Sequence, residues 1–216
     1  AASLAMAVRQ RALLLLAATA ALAAGEREKA TGINFKDKVG GLQLVGTGVR
    51  TKGPIKVYAA GLYVAPMAAK VSALRKYKGQ VAKDLGKGFY KDLLDTTFAK
   101  CVVLKMAMGV SSEKLVGALS DSVKPRMRGD VKALEPFKVA LLDGCAKHAA
   151  GGKASKGTEL CFGLNGDKMS VQVNGKKVGV IKSGALCKAL VSCYLDDNAV
   201  SPGLKRSCCE GVLKLL

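Results

Sequence analysis

The feature that most narrows the fold is a pair of Asn-Gly dipeptides, Asn165-Gly166 and Asn174-Gly175, set one strand's length apart between alternating apolar runs. Leu160, Phe162 and Leu164 lead into the first, Met169, Val171 and Val173 separate the two, and Val178 to Ile181 follow the second. Asn-Gly favours strand reversal because the tight hairpin turn needs positive φ at both central residues, which these two types tolerate. A period of two places alternate side chains on opposite faces of a sheet. The stretch therefore predicts a three-strand antiparallel meander to which the remaining elements must attach.

Upstream, strand signals recur. Ile33 and Phe35, then Leu42 and Leu44, alternate around a Gly40-Gly41 break. Gly46-Thr47-Gly48 reads as a bend or bulge and Lys52-Gly53-Pro54 as a tight turn. Beyond it Ile55, Val57 and Ala59 point one way and Lys56, Tyr58 and Ala60 the other, with Leu62, Tyr63 and Val64 continuing the strand. Between residues 66 and 98 the spacing becomes helical, with stripes of Val71, Leu74 and Tyr77 and of Phe89, Leu93, Leu94 and Phe98. Residues 101–108 form a largely buried strand. Ser111 stands as an N-cap before a helix carrying Leu115, Ala118, Leu119 and Val123, which Pro125 ends. A further helix is expected over 131–146, and two more carry Leu186, Leu190 and Leu195 and residues 204–215. This order predicts an α+β fold, a large antiparallel sheet with a helical layer on one face.

Composition removes several function classes. Lys and Arg number 35 against 16 acidic residues, a net charge of +19. Such a charge attracts anions, so contact with an anionic membrane surface is compatible with it. The lysines, however, are scattered singly or in pairs (Lys52, Lys56, Lys70, Lys83, Lys87, Lys132, Lys153, Lys182). With no basic run and no aromatic RNA-binding pattern, nucleic acid is not an expected partner. Seven cysteines without CxxC spacing and a single histidine, His148, argue against a metal site. The thiols fall in apolar stretches and read as small hydrophobes. In an oxidising compartment a disulfide stays open, with its connectivity unreadable. Gly46-x-Gly48 is too short for a dinucleotide fingerprint, and no cofactor is expected. Asp196-Asp197, beside Asn198 and Pro202, reads as a solvated turn.

The N-terminus reads as an address. A basic opening with Arg9 and Arg11 precedes an apolar run at 12–24, too short for an ordinary membrane span, which ends in the small-x-small pattern Ala21-Leu22-Ala23. Residues 1–24 are expected to be a secretory signal peptide, 25–31 a short polar linker and 32–216 one domain. The destination would be secreted or lumenal, or a plastid where plastids lie inside the secretory pathway.

Residues 46–52 (GTGVRTK) and 55–64 (IKVYAAGLYV), with 170–181 (SVQVNGKKVGVI) and 198–203 (NAVSPG) over a hundred residues later, resemble the chalcone-isomerase-like superfamily in order and spacing. The short Arg50-to-Tyr58 segment and the signal peptide resemble its microbial branch. The resemblance implies an open-faced β-sandwich with the ligand between sheet and helices. In the fatty-acid-binding branch an Arg of GxGxR and a Tyr of VYA hold the carboxylate, and these positions are Arg50 and Tyr58. The true isomerases add a Thr, a Tyr, an Asn, a Lys and a late Thr or Ser, which fall here on Tyr58, Ser111 and Ala118 and near Val102 and Cys193. Only the Arg is kept. The resemblance thus implies binding of a fatty acid or similar apolar carboxylate with no catalytic residue; the alternative is a chalcone–flavanone isomerase-type intramolecular lyase. Taken without it, Arg50 is a surface charge beside a turn and Tyr58 a residue at the edge of the core.

Overall fold

The computed structural model describes residues 25–70, 72–129 and 131–216, and the signal peptide expected at 1–24 lies outside the described residues. Two short strands, β1 (Glu26–Arg27) and β2 (Asn34–Phe35), pair with each other, so the stretch expected as a linker carries a strand. The main sheet contains β3 (Lys38–Val39), β4 (Leu42–Lys52), β5 (Ile55–Val64), β6 (Lys100–Met106), β7 (Glu159–Asn165), β8 (Lys168–Val173) and β9 (Lys176–Lys182). These are hydrogen-bonded in that order and every neighbouring pair is antiparallel. The α-helices are α1 (Ser72–Arg75), α2 (Lys87–Leu93), α3 (Ser112–Val123), α4 (Leu134–His148), α5 (Gly184–Leu195) and α6 (Pro202–Leu215). The architecture is the expected α+β one.

The meander forms as its turns dictate. Val173 pairs with Lys176 across Asn174-Gly175, whose φ values of 47° and 76° suit the tight hairpin turn. In the earlier hairpin Asn165 pairs with Lys168, so the turn is centred on Gly166-Asp167, one residue beyond the Asn-Gly dipeptide. Ser111 caps α3 by accepting the Lys114 N–H at 3.3 Å. The helix expected over 131–146 opens with a 3-10 turn at Val131–Ala133 and continues to His148.

The segment 66–98 departs from long helices. It breaks into 3-10 turns at Pro66–Lys70 and Ala82–Asp84 and the short α1 and α2, interrupted at Gly79, whose φ is 80°. Leu74, Tyr77, Phe89, Leu93 and Phe98 are nonetheless buried, so these members of the apolar stripes face the core, while Val71 lies outside the described residues.

The sheet has two unequal apolar faces. One carries Tyr58, Ala60, Leu62, Val102, Leu104, Phe162 and Val171 and packs against the helices in the main core. The other carries Ala59, Tyr63, Cys101, Val103 and Cys161 and is covered by the chain from β1 to β4, chiefly through Phe35, Ile33, Val39 and Leu44. Gly61 admits this cover, since a Cβ there would lie 2.7 Å from the Phe35 ring. Gly46 and Gly48 serve close approach too. A Cβ on either would meet the backbone of α6, at 2.6 Å from Cys208 N and 2.2 Å from Leu204 N. The expected bend is therefore a straight run under a helix, and the bulge lies just before it, between Leu44 and Gly46. All seven cysteines are buried free thiols.

Candidate functional site

The β4–β5 hairpin turns through Gly53-Pro54, with Gly53 at φ 58°, and its register sets Arg50 opposite Tyr58. Next to the turn Lys52 pairs with Ile55 and Thr51 with Lys56, and a bulge between Arg50 and Thr51 then shifts the register by one residue to set Arg50 opposite Tyr58. Cross-strand partners project from the same face, so turn and bulge jointly bring guanidinium and phenol together. Arg50 Nη1 donates to Tyr58 Oη at 3.3 Å, and Arg50 Cζ lies 5.8 Å from the Tyr58 ring centroid. Both face the cleft rather than the outside of the sheet.

A second hydroxyl completes the group. Tyr194, on α5, holds its Oη 3.1 Å from that of Tyr58. The helix is anchored by Ser183, which accepts the Leu186 N–H at 3.2 Å, and buries Leu186, Leu190, Val191 and Leu195 beside Tyr194. A phenol in so apolar a helix needs a polar partner for its hydroxyl. The leucine pattern of this helix gives no sign of that role. The only sequence signal is the lone phenol among apolar neighbours.

The electrostatics leave one permanent cation beside two neutral phenols. Burial raises the Tyr58 phenol above its usual range, and Arg50 offsets only part of that. Burial raises Tyr194 further, with the neighbouring Tyr58 adding to it. Burial opposes the charge on Arg50, but Tyr58, with Tyr194 and Cys193 behind it, outweighs that and the guanidinium is held above its ordinary value.

A second guanidinium lies nearby but is committed elsewhere. Arg126 donates through Nε and Nη2 to the Asp196 carboxylate at 2.6 and 3.0 Å, and to the carbonyls of Ser122 and Asn198 at 2.6 and 2.7 Å. Asp196 is thus one side of a two-point ion pair and not a solvated turn residue, because Arg126 reaches it from the end of α3. Asp197 does stay near solvent, paired with Lys87 and Lys205. The Cys193 thiol, pushed up to about 12 by burial, donates to the carbonyls of Ser122 and Ala189 at 3.3 Å each.

The cleft beside Arg50 and Tyr58 has a volume of about 510 Å³ and opens between the β4–β5 hairpin and α3. Val57, Met108, Val110, Leu115 and Ala118 make apolar walls, while Lys52, Ile55 and Lys114 stand toward the mouth. This volume falls within the range of small-molecule sites. A larger hollow of about 720 Å³ lies where residues 26–30 face α6. Glu26, Glu28, Lys29, Arg206, Glu210 and Lys214 line it, which makes it a poor home for hydrocarbon.

The positions that carry extra donors in the isomerases hold little here. The Ser111 side chain accepts the Lys114 N–H and hydrogen-bonds the Glu113 carboxylate, Ala118 offers a methyl to the cleft wall, and Val102 is fully buried in the core. Among the described residues no group of His, Cys, Asp and Glu is arranged to hold a metal ion. Among them, too, no helix is long and apolar enough to cross a membrane.

Comparison with known proteins agrees with this architecture. The profile of the chalcone isomerase-like family matches residues 28–208. The crystal structure of an Arabidopsis thaliana fatty-acid binding protein superposes with a TM-score of 0.75 at 21% identity, covering 88% of this chain and 98% of that one. No curated protein matches the sequence. A match over most of the chain, on a seven-stranded antiparallel sheet backed by helices, places this protein in the chalcone isomerase-like family.

Proposed function

We propose that the cleft binds a fatty acid or a similar apolar carboxylate, and that the protein does no chemistry on it. The observation that carries this is the hydrogen-bonded row Arg50–Tyr58–Tyr194 set against apolar walls. A guanidinium presents a planar fork that matches two carboxylate oxygens. The Tyr58 oxygen has two lone pairs. Either hydroxyl can donate in the contact of Tyr58 with Tyr194; when Tyr194 donates, Arg50 and Tyr194 take both lone pairs and the Tyr58 hydrogen is left for the ligand. Each methylene buried along the walls contributes about 0.8 kcal/mol, so an acyl chain of eight to ten would outweigh its own ordering. The fatty-acid binding named for the Arabidopsis structure supports the same direction.

Turnover of a chalcone would require a polar network to hold water at the developing enolate, and each missing donor typically costs about 2.7–4 kcal/mol in transition-state stabilisation. Ala118 and Val102 supply no such donors. Chalcone loss followed by absorbance should proceed at the spontaneous rate with the protein present; acceleration abolished in Arg50→Ala would overturn the non-catalytic reading.

The binding test is an organic extract of purified protein analysed by mass spectrometry. It should contain stoichiometric fatty acid, and Arg50→Ala protein should lose most of it. Lipid-free protein that also fails to displace a fluorescent fatty acid ends the proposal. Lys52, Lys114 and the half-exposed Ile55 at the mouth support approach to an anionic membrane surface. Co-sedimentation with phosphatidylserine vesicles that weakens with salt would test that. Export remains part of the proposal, and N-terminal sequencing of secreted protein should find a start near residue 24.

A further inference from the structure

The sheet face opposite the cleft holds a second reactive arrangement. Cys101 on β6 and Cys161 on β7 bring their sulfurs to 3.0 Å. Their backbones are not directly opposed, because Cys101 pairs with Gly163 and Cys161 with Val103. Gly163 has no side chain to meet Cys101, so the thiol leans along the diagonal to the neighbouring cysteine on the same face. Both lie in the small apolar cluster under Phe35 and Tyr63. None of the other five cysteines has a sulfur–sulfur contact of this kind among the described hydrogen bonds.

We propose that Cys101 and Cys161 are an oxidisable pair that forms a disulfide across the two central strands. A disulfide bond is about 2.04 Å long, so the sulfurs need to close by only about 1 Å. Either thiol can donate to the other's sulfur; Cys161, the less buried of the two, is the first nucleophile. A hollow of about 240 Å³ on the same face is floored by Val103, the register partner of Cys161, and is lined by Lys36, Lys38 and the ion pair of Lys105 with Glu159, which leaves it net positive. Its charge suits a small anionic disulfide such as oxidised glutathione. The cover over the pair is held by the two-residue strands β1, β2 and β3, and such short pairings open locally at little cost.

The chemistry balances as two exchanges. The Cys161 thiolate attacks one glutathione sulfur and expels the other as a thiolate, leaving a mixed disulfide. Cys101 then loses its proton and attacks the Cys161 sulfur, expelling the second glutathione thiolate. The two protein thiols are oxidised by two electrons and the oxidant is reduced to two glutathione molecules. In an oxidising compartment this product persists.

The experiment incubates the reduced full chain with oxidised glutathione, then denatures and alkylates it for intact-mass and non-reducing peptide analysis. Two fewer alkyl groups are expected, with a single linked peptide joining Cys101 to Cys161. Cross-linking so distant a pair should also raise Tm by roughly 5–10 °C. Cys161→Ala should keep every remaining thiol reactive. If that variant fails to fold, the peptide map of the unaltered chain decides alone. Full alkylation after oxidation overturns the proposal, as does a link between other cysteines such as Cys208 and Cys209.

Discussion

Two tyrosines on one strand, Tyr58 and Tyr63, show how differently the two faces of the sheet are used. Both are almost wholly buried, and burial raises both phenols. On the helix-covered face the Tyr58 hydroxyl ends on two side chains, Arg50 and Tyr194, next to an open cleft. On the strap-covered face the Tyr63 hydroxyl donates to the backbone carbonyl of Lys36 at 2.9 Å. Neither burial nor the direction in which it shifts the phenol separates the two. The partner does: a backbone carbonyl makes a phenol a fastener, whereas a cation beside an empty apolar space makes it a candidate ligand contact.

The sharpest way to break this contrast is Phe35→Ala. It removes the ring that closes the strap-covered face and should cost about 3–5 kcal/mol by urea denaturation, with fatty-acid affinity held within about twofold. A parallel loss of affinity would mean that the faces are not independent. Next, Arg50→Ala should weaken fatty-acid binding by roughly 10–100-fold, the worth of about 1.5–3 kcal/mol for a charged hydrogen bond. Its stability should move far less, because the residue is only partly buried.

A further comparison lies within the helix-covered face. At the end of β6 far from Tyr58, the Lys100 ammonium donates to the carbonyls of Asp95 and Phe98 and rests 3.5 Å from the Phe98 ring centroid. Burial lowers it to about 7. Between that value and the ordinary one near ~10.4, the unfolded chain holds a proton that the folded chain lacks. Stability should therefore rise with pH, by about 2 kcal/mol from pH 7 to pH 9, and level off below 7. Lys100→Met should flatten the profile. A flat profile in the unaltered protein would show that the two carbonyls keep the amine charged.

The smallest effect belongs to the tyrosines themselves. Tyr63→Phe should cost about 1 kcal/mol of stability and leave binding alone. Tyr58→Phe should lower both, since it strips a partner from Tyr194 as well as from the ligand.

Much of this was legible in the sequence where local rules and tertiary packing agree. The meander followed from alternation and its turns, α3 from its Ser111 cap, and the nearness of Arg50 and Tyr58 from a tight turn, although a bulge between Arg50 and Thr51, with no signal in the sequence, is what sets them opposite each other on one face. What escaped notice depends on contacts that cross the chain. Tyr194 sits in a helix buried on almost every side, so hydrophobic periodicity marks no special face there. Gly46 and Gly48 look like a bend because glycine is the usual bend residue, yet their role is set by α6, which arrives some 160 residues later. The segment 66–98 kept its inward stripes but not its long helices, because Gly79 interrupts the rod. The pairing of Asp196 with Arg126 spans 70 residues and left no local trace.

The contact between Arg50 and Tyr58 joins residues only eight apart, whereas Tyr194 comes from 136 residues further along. Hairpins close in about 1–10 μs, long before distant helices dock. The headgroup end of the cleft is then assembled from its own turn, and the arrival of α5 is what aligns it. A polypeptide emerging stepwise would carry half of its recognition chemistry before its core existed.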